Sequence, residues 1–114
     1  MALTPFQIKV YKELLKIPAG EVRTYKQIAK AIGKPKAARA VGNACNKNPY
    51  APIVPCHRVV GSNGSLTGYA YGINYKKKIL ELEAQNKSTK KVIAELEAKL
   101  KTKFVTKLPK ELLS

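Results

Sequence analysis

The sequence predicts a small, mainly α-helical domain: a helix-turn-helix of winged-helix-like type, then a loop-rich segment or short hairpin carrying a polar site, then a C-terminal helix. Three features of the chain support this. A capping pattern followed by apolar residues at helical spacing occurs twice, at Thr4-Pro5-Phe6-Gln7 and at Thr24-Tyr25-Lys26-Gln27. Two short helical stretches meet at a glycine-containing turn, which is the layout of a helix-turn-helix. The middle of the chain is dense in loop formers: Asn48-Pro49-Tyr50-Ala51-Pro52, Gly61-Ser62-Asn63-Gly64 and Gly68-Tyr69-Ala70-Tyr71-Gly72.

The first helix should open at Thr4, with Pro5 at its first position, bury Ile8, Val10, Tyr11, Leu14 and Leu15, and stop at Pro18 and Gly20. Thr24 opens a second, short helix through Ile28 and Ile32 that Gly33 terminates. After Lys34-Pro35, a third runs from about Lys36 to Asn46. It presents Ala37, Ala38, Ala40, Gly42 and Ala44, with Arg39 the one long side chain among them. So thin a helix can come close to another surface, although small residues also suit ordinary core packing. The apolar run Ile53-Val54-Pro55-Cys56-His57-Arg58-Val59-Val60 reads as a buried connection carrying a polar site. Helix resumes near Asn74 through Ile79, Leu80 and Leu82, and a last amphipathic helix from Ser88 uses Val92, Ile93, Leu96 and Leu100.

A length of 114 residues suits one domain with a tail. The charge is more telling: 22 Lys+Arg against 7 Asp+Glu give a net charge of +15. Between Glu21 and Glu81 there is no acid at all, while Arg23, Lys26, Lys30, Lys34, Lys36, Arg39, Lys47, Arg58, Lys76, Lys77 and Lys78 fall there. Such a field attracts polyanions by counterion release, with nucleic acid and an anionic membrane surface as the usual partners and a plain solubility surface as the bland alternative. No stretch has the apolar length of a membrane span, and Met1-Ala2-Leu3-Thr4-Pro5 lacks the layout of a secretion signal. An intracellular protein is expected, cytoplasmic in a prokaryote and nuclear in a eukaryote, with Cys45 and Cys56 as free thiols.

Cys56 is the candidate nucleophile. A free thiol is mostly protonated at neutral pH and needs a base or a positive charge beside it, and His57 and Arg58 are adjacent. An acid should orient the histidine, and only Glu81 and Glu83 follow soon. A zinc site is short of ligands, because Cys45, Cys56 and the single histidine make three where four are normal. A cysteine hydrolase would leave the basic charge unexplained, and a structural cysteine beside a core histidine is the dull reading.

Pro55-Cys56-His57-Arg58-Val59, preceded by Arg39-Ala40-Val41-Gly42 and Asn48-Pro49, resembles the C-terminal domain of the O6-alkylguanine-DNA alkyltransferases. The likeness covers roughly residues 4 to 83, so residues 1–83 are expected to form a catalytic and DNA-binding domain and 84–114 a helical extension. It implies that Cys56 accepts the alkyl group, that His57 activates it through water, and that Glu83 orients His57. Asn48 braces the site by side-chain hydrogen bonds; Arg39 fills the space left by a flipped nucleotide, Tyr25 helps to rotate the base, and Ala38 meets the minor groove with Lys36 beside it. Tyr69, Ala70, Tyr71, Lys76 and Val59 are implied to form the substrate pocket. The implied partner is double-stranded DNA containing O6-alkylguanine, bound by a monomer without cofactor or metal, and the reaction is a single turnover that ends in a thioether. Guanine O6 lies inside the duplex, so the nucleotide must leave the stack, at a cost of about a few kcal/mol.

One departure stands out. Where the family has small residues after the pocket tyrosine, this chain has Ala70 and Tyr71, and Tyr71 is expected to narrow the pocket towards methyl adducts. Two rivals differ in class. A non-enzymatic alkyltransferase-like module would bind damaged guanine and recruit other repair factors, but such proteins replace the acceptor cysteine that is kept here. A sequence-specific helix-turn-helix regulator would discriminate among undamaged sequences.

Overall fold

Helices begin where the two caps predict. In the computed structural model, which describes residues 3–51, 53–66, 73–85 and 108–113 together with Lys91, Ala94, Glu97 and Ala98, the first helix, α1, spans Pro5–Leu14. The Thr4 hydroxyl accepts from the Gln7 backbone at 3.1 Å, and the Thr4 amide donates to the Gln7 side chain at 2.9 Å. Thr24 and Gln27 repeat the exchange at 3.0 and 2.8 Å and open α2, Tyr25–Ala31. Each box satisfies amides that a helix start leaves bare. Gly33, at φ +80, closes α2: its amide bonds Lys30 and the Lys34 amide bonds Ala29, the paired bonds of a Schellman turn.

Two helix ends differ from expectation. The first helix stops at Leu14, ahead of Pro18, because a tighter turn takes over: the Lys16 amide reaches Glu13 and the Ile17 amide reaches Leu14. That turn buries Ile17 and aims its carbonyl inward. The third helix, α3, is Ala38–Asn46 and has no side-chain cap, so Lys36 lies in the preceding turn rather than on the helix. Residues 34–37 carry no side chain able to cap in the Ala37 position, and the helix begins only where its carbonyls find partners.

Val10, Tyr11 and Leu14 of α1 pack with Ile28 and Ala29 of α2 and with Val41, Ala44 and Cys45 of α3. The Tyr11 hydroxyl donates to the Ala44 carbonyl at 2.8 Å, locking α1 to α3 inside the core. The segment after α3 reaches a 3-10 turn, Cys56–Arg58, and runs into β2, Val59–Val60. This strand pairs in parallel with β1, Arg23–Thr24, with Arg23 opposite Val59 and Thr24 opposite Val60. The pairing is therefore long-range and not a hairpin. Thr24 is both a strand residue and the cap of α2, so the bridge fixes the helix-turn-helix directly to the segment bearing Cys56. The expected turn at Gly61–Gly64 is present, closed by the Gly64 amide on the Gly61 carbonyl at 2.8 Å.

The fourth helix, α4, spans Ile73–Ala84 and buries Lys76, Ile79, Leu82 and Glu83. Of the predicted helix from Ser88, Lys91, Ala94, Glu97 and Ala98 are helical, and its apolar positions Val92, Ile93, Leu96 and Leu100 lie outside the described residues. A 3-10 turn at Lys110–Leu112 packs against α1, and Leu112 is buried in the same core as Val10 and Leu14. The end of the chain is thus tied to the helical domain. Leu112→Ala should lower the unfolding free energy by about 2 to 3 kcal/mol, the usual cost of emptying a buried leucine site. Urea denaturation measures this, and an unchanged midpoint would mean that the segment adds nothing to the fold.

Candidate active site

Cys56, His57 and Arg58 sit on one 3-10 turn, and all three are buried. Pro55 and the apolar residues around it pull this stretch into the core, while the tight turn throws successive side chains in different directions. His57 and Arg58 both reach Glu83 near the end of α4. The His57 Nε2 to Glu83 Oε2 distance is 3.1 Å. Arg58 donates through Nε to Oε1 at 3.1 Å and to Oε2 at 3.2 Å, and through Nη2 to Oε2; its Nη1 reaches the Ile17 carbonyl at 2.8 Å.

These contacts set the protonation states. Burial alone would push the Glu83 carboxyl up, but hydrogen bonds and charge from His57 and Arg58 overcome it and hold the group down at about 2. Burial pushes the His57 imidazole below its ordinary value, against the hydrogen bond and charge of Glu83. A neutral ring beside an ionised carboxylate carries its proton on Nε2, which leaves Nδ1 with the lone pair that accepts a proton. Burial pushes the Cys56 thiol up to about 11, opposed by a hydrogen bond from Asn48 and the charge of Lys76. At rest Cys56 is a thiol, and its ionisation requires a nearby proton acceptor.

Asn48 is buried and bonds both sides of its loop, donating from Nδ2 to the Val54 carbonyl at 2.8 Å and accepting the Tyr50 amide at 2.9 Å. This closes the connection two residues before Cys56, whose own amide bonds Val54 at 2.8 Å. Lys76, fully buried on α4, donates to the Val59 carbonyl and to the Tyr25 hydroxyl at 3.3 Å, with its ammonium 5.6 Å from the Tyr25 ring centre. One lysine thereby joins α4, β2 and the first residue of α2.

The residues expected at a DNA surface divide. Tyr25, Ala38 and Arg39 line a common groove of about 360 Å³ with Lys26, Gly61 and Ser62. Lys36 is exposed in the turn before α3 and does not line that groove. Of the expected pocket, Val59 and Lys76 come together, while Tyr69, Ala70 and Tyr71 lie outside the described residues. Sequence reasoning missed Arg58 as a partner of Glu83. The scarcity of acids that nominates Glu81 or Glu83 for His57 applies equally to an arginine in an apolar run, and was the available signal. Glu81 is exposed, so the choice falls to Glu83. Among the described residues no cluster of His, Cys, Asp and Glu could hold a metal ion.

Residues 5–85 match the family model described as 6-O-methylguanine DNA methyltransferase, DNA binding domain. The chain belongs to this methyltransferase family. A methylated-DNA--protein-cysteine methyltransferase of Methanosarcina barkeri is 60% identical over 83 residues, covering 73% of this chain and 52% of that protein. One from Mycobacterium tuberculosis is 61% identical over 80 residues, covering 70% and 48%. The chain therefore spans about half the length of the curated methyltransferases it matches. Among solved structures, the Mycobacterium tuberculosis OGT in complex with DNA superposes with a TM-score of 0.73 at 54% identity, over 80% of this chain and 56% of that one. The S. pombe Atl1 in complex with damaged DNA containing O6-carboxymethylguanine gives 0.61 at 37% identity, over 73% and 79%. The methyltransferase domain is helical, with its helix-turn-helix, as the capping patterns predict.

The protonation states carry a pH signature. His57 is depressed, so the unfolded chain takes up that proton first, and stability is full above about pH 6.5 and falls below it. Glu83 is also depressed, and its contribution is full above about pH 4.5 and lost as pH falls towards about 2. Thermal midpoints should drop through both windows. His57→Gln should flatten the upper window and, by removing one of the two groups that hold Glu83 down, narrow the lower one; identical profiles for the two proteins would refute these assignments.

Proposed function

We propose that this chain repairs DNA by moving the alkyl group from O6 of guanine irreversibly onto Cys56. The observation that carries the reading is the buried pair of Glu83 with His57, which shares a turn with Cys56: an ionised acid bonded to a neutral imidazole next in sequence to a buried thiol. Glu83 holds the proton on Nε2, and Nδ1 takes the Cys56 proton through a bridging water. The sulfur attacks the alkyl carbon, the carbon–O6 bond breaks, and its electron pair returns to the guanine ring. The base leaves with a proton at N1, which His57 gives up, and the product is a thioether. A thioether is stable, so each molecule acts once, without cofactor or metal.

Family membership supports DNA as the partner, and so does the acid-free basic stretch from residue 22 to residue 80. In this reading α3 lies in the minor groove with Ala38 facing it, Lys36 contacts phosphate, Arg39 takes the place of the extruded nucleotide, and Tyr25 helps rotate it. Asn48 braces the turn that carries Cys56. The pocket for the base is formed by Val59, Lys76, Tyr69, Ala70 and Tyr71. The protein acts as a monomer inside the cell, in the cytoplasm of a prokaryote or the nucleus of a eukaryote. No helix among the described residues is long and apolar enough to cross a membrane.

Intact mass after incubation with a duplex containing O6-methylguanine tests the proposal. The expected result is a gain of one methylene mass, mapped by peptide analysis to Cys56, and none in Cys56→Ser. Tight binding without a mass gain would replace the proposal with a damage-binding module of the kind that only recognises the lesion. Arg39→Ala should slow transfer from duplex by about 10-fold or more while sparing transfer from the free base, because only the duplex requires extrusion at a cost of about a few kcal/mol. Narrowing by Tyr71 predicts faster single-turnover transfer from methyl- than from benzylguanine in DNA; equal rates would remove that restriction.

A further inference from the structure

Among the described residues, Arg58 is the one charged side chain buried against Glu83 that the proton relay leaves without a task. Its side chain is 9% exposed and that of Glu83 is 1% exposed, so neither charge is free to reorient into water. The guanidinium donates three of its hydrogen bonds to the Glu83 carboxylate and one to the Ile17 carbonyl. A planar fork can make such a pair of engagements in one fixed orientation only. The Ile17 carbonyl comes from the turn after α1, and the same connection brings Gly20 against the α4 backbone, where a Cβ would lie 3.8 Å from the Glu83 carbonyl. The carboxylate is therefore held by the 3-10 turn, and the arginine that holds it is itself anchored to the turn after α1.

We propose that Arg58 is a positioning residue for alkyl transfer: spanning Glu83 and the Ile17 carbonyl, it fixes the carboxylate so that Oε2 faces His57 Nε2 and the imidazole proton stays there. This rests on the alkyl-transfer reading of Cys56. The chemistry is specific to the pairing. A carboxylate free to rotate, or one that binds a proton, can no longer favour the Nε2–H form of His57, and Nδ1 then loses its share of the lone pair. The groups facing this centre are His57 and Arg58 from the 3-10 turn and the Ile17 carbonyl from the end of α1. Lys76 of α4 also acts on His57, Asn48 and Lys76 act on Cys56, and Cys56 in turn acts on Cys45 of α3 and Tyr11 of α1. Among the described residues Arg58 is the cation in direct contact with Glu83. Burial drives that carboxyl towards its neutral form, and Arg58 is one of the two groups that reverse it.

Single-turnover transfer should be followed from about pH 4 to 9, a range that brackets the ordinary histidine value of about 6.5, in wild type, Arg58→Met and Arg58→Lys. Arg58→Met should slow transfer by about 10-fold or more at neutral pH and move the acid limb of the profile upwards by about one unit or more. In a Glu83→Gln background the same change should add little, because Arg58 acts through Glu83. Arg58→Lys keeps the buried charge paired and preserves folding, yet cannot span both acceptors; it should slow transfer without moving the acid limb. His57 is the only histidine, so nitrogen NMR reads its tautomer directly: Nε2–H in wild type, a mixture in Arg58→Met. If wild type transfers and a folded Arg58→Met keeps its rate and profile, the positioning role is overturned. If Arg58→Met does not fold, wild-type transfer by Arg58→Lys overturns it instead. Failure of wild type itself to transfer sinks the proposed function and not the tautomer assignment.

Discussion

A carboxylate withdrawn from water must find partners or give up its charge. Glu83 keeps its charge, and the arrangement around the site follows from the way it does so. Its partners, His57 and Arg58, are neighbours on one short turn, and Arg58 extends the contact to the Ile17 carbonyl. Three separated stretches of chain are thereby drawn to one point: the turn after α1, the segment carrying Cys56, and the end of α4. Loss of Arg58 would leave the Glu83 charge with only an imidazole beside it, so the pairing contributes to the fold as well as to the site.

Around this point the protonation states are graded. The carboxylate is ionised, the imidazole neutral and the thiol protonated, each for a stated reason of burial or pairing. A protonated thiol is a weak nucleophile, and a neutral imidazole can accept a proton. The parallel bridge between β1 and β2 then joins this chemistry to the helix-turn-helix, because Thr24 caps α2 and pairs with Val60. Lys76 makes the same connection a second time through the Val59 carbonyl and Tyr25. Helices α2 and α3 are thus referred to the same frame that holds Cys56.

Much of this was legible in the chain. Thr4 with Gln7 and Thr24 with Gln27 announce helix starts because cap and responder stand three residues apart, and Gly33 announces a stop because its backbone angle suits few other residues. The motif around Cys56 marked a candidate nucleophile and base, and the shortage of acids narrowed the third member to two glutamates, of which the family likeness chose Glu83. Less legible were the early end of α1, set by competition between successive turns, and the late start of α3, which lacks a capping side chain.

Partners far apart along the chain were beyond the reach of such reading. Arg58 meets Glu83 25 residues on and Ile17 41 residues back, and Lys76 finds Tyr25 across 51 residues. Local hydrogen bonds connect groups whose spacing is written in the sequence, so elements and the candidate thiol can be read from it. Which charges end up buried together depends on how the elements pack, and only folding decides that. Hence the sequence, with the family likeness, pointed to Cys56, His57 and Glu83, whereas the packed structure revealed Arg58 as the second holder of Glu83 and tied the loop-rich segment to the helix-turn-helix by a parallel bridge.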